Sequence, residues 1–133
     1  MTKIESKARE IHAPEASIFN FLSNFNNFEA LMPDKVSDWT STEDACYFSI
    51  SGIASLGMKI VEKSAYSNIK MVDDGKVPFS FDFLVDIEAK DAEHSMVKLT
   101  FNANLNTMLK MGAIKPLNEF LEKLLDHLEQ QKL

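Results

Sequence analysis

Glu62 is the residue of this sequence best placed to do chemistry. It lies in the strand-like segment "GMKIVEKS", two positions after Ile60 and four after Met58. With a side-chain period of two it shares their face. A carboxyl on that face sits either at the mouth of whatever the strand covers or at a strand end already in solvent. At the mouth, burial would raise its pKa and suit it to proton shuttling. Tyr47, Cys46 and Ser49 stand on the preceding segment "CYFSIS", with no base at a spacing that would activate a nucleophile. Asp82, Asp86 and Glu88 alternate with apolar residues and read as a solvated face. His12, His94 and His127 show neither HxH nor HxxxH spacing, so no metal site is expected. The four glycines are scattered and form no phosphate loop, and no cofactor is expected. The catalytic residues, if there are any, stay unassigned at this level.

Composition bounds the partners. The 133 residues suit one domain spanning 1–133, 45% hydrophobic and 26% charged, with a net charge of −6. No basic stripe points to nucleic acid or to an anionic membrane surface. No stretch reaches the ~18 continuous apolar residues of a membrane span. The segment "MTKIESKAREIHAPE" lacks the apolar run of a signal peptide, and the lone Cys46 cannot pair internally. The expected location is cytoplasmic, as monomer or homodimer.

The elements that must position these residues follow from periodicity. Residues 3–11, "KIESKAREI", read as a first strand. "APEASIFNFLSN" reads as a short helix, with Pro14 and Glu15 suited to its start. "NNFEALMP" is a second short helix that Pro33 ends. Six strand-like segments follow: "KVSDWTS", "CYFSIS", "GMKIVEKS", "SNIKMV", "PFSFDFLVDIEAK" and "SMVKLTFNANL". Gly52 and Gly57 are expected to flank a bend, and Asp73-Asp74-Gly75 to form a turn. Alternation with one apolar face predicts an antiparallel sheet covered on one side.

A long helix, residues 106–131, closes the chain, with Asn106 as N-cap. Ile114, Leu117, Phe120, Leu121, Leu124, Leu125 and Leu128 make its apolar stripe. Pro116 predicts a kink near 112–116, because it cannot donate to the carbonyl of residue 112. Met108 and Met111 are flexible side chains under that bend, able to fill an irregular core or to edge a cavity.

The segment "REIHAPEASIFNFLSNFNNFEALMP" resembles the opening of the START-like, or Bet v 1-like (SRPBCC), superfamily. Ala13, Pro14, Ile18, Phe19, Leu22 and Ser23 occupy its "APxxxVFxxLsD" pattern, with Asn24 where Asp is common. The closing "ANLNTMLKMGAIKPLNEFLEKLLDHL" is similar to its C-terminal helix. The resemblance implies an α+β helix-grip fold. A curved antiparallel sheet of about six to seven strands would wrap a long C-terminal helix, with two short helices after the first strand. It also implies a cavity between sheet and helix for an apolar small molecule such as a lipid or polyketide. Phe28, Phe48, Met58, Phe81, Phe83, Phe101, Met108 and Met111 would line it. Two other functions fit the same superfamily. One is a cyclase or dehydratase using Glu62 or Tyr47, and the other is a protein-interaction module with an exposed apolar patch.

Overall fold

A computed structural model describes residues 1–133. The elements run β1 (Thr2–Glu5), β2 (Arg9–Ile11), α1 (Glu15–Leu22), a 3-10 helix (Phe25–Leu31), β3 (Val36–Ser41), β4 (Ala45–Ile50), β5 (Ala54–Ser64), β6 (Asn68–Asp73), β7 (Phe81–Ala89), β8 (Ser95–Ala103) and α2 (Thr107–Glu129). All strands join one antiparallel sheet, in the order β1-β8-β7-β6-β5-β4-β3, with β2 also paired to β8. This is the α+β helix-grip arrangement: a meander closed by the first strand, gripping one long helix.

The expected first strand is in fact two. The break falls at Ser6, which is buried. Its N–H donates to the Leu99 carbonyl at 2.9 Å, and its hydroxyl accepts from the Leu99 N–H at 2.9 Å. The hydroxyl thus takes a backbone acceptor's place while the strand changes course. β7 begins at Phe81, later than expected, yet Phe79 is still buried and packs on the Phe81 ring. Gly57 lies inside β5 instead of at a bend. A Cβ there would come within 2.2 Å of Asp74 Oδ2, so the position has no room for a side chain.

Asn106 caps α2 as expected, its side chain accepting from the Leu109 N–H at 2.9 Å. The helix continues through Pro116 to Glu129. Ala113, Leu117, Phe120, Leu121, Leu124, Leu125 and Leu128 are its buried face, whereas Ile114 is 38% exposed. On that face Phe120 stacks over Phe48 of β4, with ring centroids 6.1 Å apart. Arg9 ties the helix to β2. Its guanidinium donates to Asp126 Oδ1 at 2.8 Å and to Glu122 Oε2 at 3.1 Å, and pairs with Glu129 at 3.4 Å. His127 Nδ1 donates to the Leu31 carbonyl at 2.8 Å, joining α2 to the 3-10 helix.

Candidate functional site

Six of the residues expected to line a chamber, five from the sheet and Phe28 from the 3-10 helix, are all interior. Phe28, Phe48, Met58, Phe81, Phe83 and Phe101 are each at most 3% exposed. Three of them pack on one another. Phe81 stacks on Phe101 at 4.8 Å, and Phe83 meets Phe101 edge-on at 6.1 Å. The space left between sheet and helix is about 10 Å³, and of these six residues only Phe28 and Phe83 border it. That is roughly the space of one water molecule. The expected open chamber is therefore filled, the remaining space being closed in by Phe28 and Phe83 and by Leu124, Leu125 and Leu128 of α2.

Met108 and Met111 depart further from expectation. They are 82% and 87% exposed and do not border the space between sheet and helix. The helical period explains this. At about 100° per residue, Met108 lies about 180° around the helix from Leu117 and Met111 about 120°. Extending the buried stripe back from Leu117 by four and by eight residues reaches Ala113, which is buried, and Leu109, which packs against the core.

The groups considered for catalysis are not assembled. Of the two positions open to Glu62, a cavity mouth or a strand end in solvent, the structure shows the second, because the β5–β6 register shifts between Ile60 and Glu62. The extra residue, Val61, turns Glu62 to the other face, opposite Lys70, where it is exposed. Tyr47 is 44% exposed, and Cys46 is buried with its thiol pushed up to about 12 by that burial. A thiol held neutral in this way is a poor nucleophile. His12 and His94 stack at 4.6 Å, and His94 bonds Asp91 at 2.8 Å, an exposed arrangement at a turn. No three His, Cys, Asp or Glu side chains converge with metal-binding spacing.

A larger concave feature than the space beneath α2 lies elsewhere. A groove of about 530 Å³ separates the outer flank of α2 from the segment that leaves the 3-10 helix. Pro33, Asp34 and Lys35 form one wall, and the helix from Lys115 to His127 forms the other. Ile50 and Phe120, each 4% exposed, are its apolar floor. Lys35 Nζ and Glu119 Oε2, both on its rim, are 3.7 Å apart. Sequence reading missed the groove, since its two walls lie about eighty positions apart in the chain.

Behind the floor three rings stand face to face. Phe120 and Phe48 are inclined by 17°, and Phe48 and Trp39 by 30° with centroids 5.3 Å apart. Trp39 belongs to the edge strand β3, whose pairing shifts between Ser37 and Thr40. Within that bulge Asp38 adopts φ +57°, a left-handed conformation that costs a non-glycine residue free energy. The Trp39 Nε1–H is buried without an acceptor from the chain.

No protein-family model and no curated protein matches the sequence. Solved structures do match the fold. The protein XoxI from Bacillus cereus superposes with a TM-score of 0.77 at 12% identity, over 98% of this chain and 94% of that one. A START superfamily protein from Mycobacterium smegmatis gives 0.73 at 14% identity, over 96% and 94%. A norcoclaurine synthase point mutant from Thalictrum flavum, solved with a transition-state analogue, gives 0.75 at 10% identity, over 97% and 92%. The chain has the START-like, Bet v 1-like fold that its opening and closing segments resemble. At these identities the likeness concerns the fold alone. A fold of this kind carries many functions, so function has to be argued from the site.

Proposed function

We propose that this protein binds a small, mainly apolar molecule, and that the guest lies first in the groove beside α2. One observation carries the reading. The groove is of ligand size, within the roughly 300–1,000 Å³ of small-molecule sites, and its floor is apolar while its rim is charged. Burial against Ile50 and Phe120 would supply affinity, and the rim would orient any polar end. The interior behind the floor is closed, so deeper binding requires Phe120 to swing aside. The enzyme reading has no comparable support, because Glu62 and Tyr47 are exposed and lie on neither wall.

Lys123 projects into the groove from α2 and is paired only loosely, 3.9 Å from Asp126. Lys123→Trp should fill the groove without touching the core. The test is a fluorescence titration with 1-aminoanthracene. Saturable one-to-one binding is expected in the wild type, weakened at least about tenfold in Lys123→Trp, a loss of about 1.4 kcal/mol. Equal affinity in both proteins, or no saturable binding in either, would overturn the proposal.

A further inference from the structure

We infer that His127 is the polar recognition group of this groove, and that the guest is an apolar molecule ending in a hydroxyl, such as a phenol. The inference rests on the groove reading above and deepens it. Lys115, Glu119, Lys123 and His127 all line the groove and follow one another at intervals of four, so they form one row along its helical wall. The row ends at His127. Its bond to the Leu31 carbonyl reaches a residue two positions before Pro33, where the other wall begins. His127 therefore stands where the two walls join.

That same bond fixes the chemistry of the ring. A carbonyl only accepts, so the Nδ1 that meets it at 2.8 Å carries a proton. In the neutral imidazole the free lone pair is then on Nε2. Nε2 makes no bond within the chain. Nor is it buried, because Trp39 Nε1 is the one buried side-chain nitrogen or oxygen without a partner. The groove thus holds an acceptor fixed in position and free to be used. Its charged neighbours in the row have partners of their own, Glu119 in Lys35 and Lys123 more loosely in Asp126. A ketone or ether oxygen offers Nε2 nothing, whereas a hydroxyl donates to it. Phe120 lies seven residues earlier on α2, about 10 Å along the helix axis. A guest two rings long can lie over Ile50 and Phe120 and bring its hydroxyl to Nε2. Apolar sites obtain selectivity from a few such groups.

The test compares 2-naphthol with 2-methylnaphthalene, which has nearly the same outline and no polar group, and with 2-methoxynaphthalene, whose oxygen accepts but cannot donate. The buffer is basic enough to keep the imidazole neutral. 2-Naphthol should bind about tenfold more tightly than either of the others, the usual worth of one added hydrogen bond. In a long-range nitrogen–proton correlation spectrum it should move the His127 Nε2 resonance upfield, as acceptance of a hydrogen bond does, and the other two should not. His127→Asn is the matching variant. Its side-chain amide N–H can stand where Nδ1–H stands and keep the bond to Leu31, but nothing replaces Nε2. It should still bind 2-methylnaphthalene and lose the preference for 2-naphthol. Should 2-naphthol and 2-methoxynaphthalene bind equally and both shift the Ile50 and Phe120 amides, the groove reading stands and the His127 assignment fails. A tenfold preference that survives in His127→Asn overturns it too. If none of the compounds perturbs those amides, the groove reading itself falls and takes this inference with it. The wild-type Nε2 resonance decides the matter alone if His127→Asn does not fold.

Discussion

Arg9 and Asp126 lie 117 positions apart in sequence, and a guanidinium N–H donates to the carboxylate across 2.8 Å. This contact holds the last turns of α2 against β2, and Glu122 and Glu129 join it. The pairing raises the guanidinium's pKa, chiefly through the Asp126 hydrogen bond, and lowers that of Asp126, chiefly through the Arg9 hydrogen bond.

The lowered Asp126 pKa has a definite sign in stability. A carboxyl whose folded pKa is depressed stabilises the fold fully above its unfolded value, about 3.9, and loses that contribution as pH falls through the folded value. The side chain is 41% exposed, so solvent screening limits the pair to about 0.5–1 kcal/mol. Urea denaturation of wild type and Asp126→Asn should therefore differ by that amount at pH 7. The difference should shrink as pH drops below about 4. A gap that stays constant down to pH 3 would show that the pair does not act through this charge.

Gly57 and Asp74 make a tighter prediction. A methyl group on Gly57 would press on the Asp74 carboxylate, whose Oδ1 accepts from the Lys76 N–H at 2.9 Å. Gly57→Ala should cost about 1–3 kcal/mol, as overpacking does. Adding Asp74→Ala should return most of it, because the obstacle is that side chain. Thermal or urea unfolding of the single and double variants reads this directly. Unrelieved loss in the double variant would place the cost in the β5 backbone instead.

Met108 and Met111 separate two accounts of the terminal helix. Both side chains are solvent-exposed, so Met108→Ser with Met111→Ser should leave stability within about 0.5 kcal/mol and leave 1-aminoanthracene affinity unchanged. Leu125→Ala, at a fully buried position, should cost about 2–5 kcal/mol. A marked loss of affinity in the methionine double variant would return these residues to the binding site.

Much of this architecture was legible from local chemistry. Asn106 as a cap, Pro33 as a stop and the alternation of Val97, Leu99 and Phe101 each declare an element within a few residues. What stayed hidden has two physical causes. A single inserted residue, Val61, reverses facing without any mark in composition, so alternation alone leaves open whether Glu62 meets a cavity mouth or solvent. Contacts between distant segments leave no local trace either. Arg9 looks like any surface arginine until α2 arrives, and the groove exists only once residues 33–35 stand opposite 115–127. The methionines misled for another reason. Their type suggests a lining, but their angle on the helix, which the sequence does contain, puts them outside.

The Ser6–Leu99 pairing joins positions 93 apart, and it closes the sheet at the strand that immediately precedes α2. Such distant closure makes assembly slow, because chain entropy is surrendered before the contacts that reward it can form. During synthesis on the ribosome, residues 2–11 have to wait for residues 95–103 to emerge before finding a strand to pair with. Until then the greasy inner surface of the meander lies bare, which makes that interval the one in which a chaperone matters most.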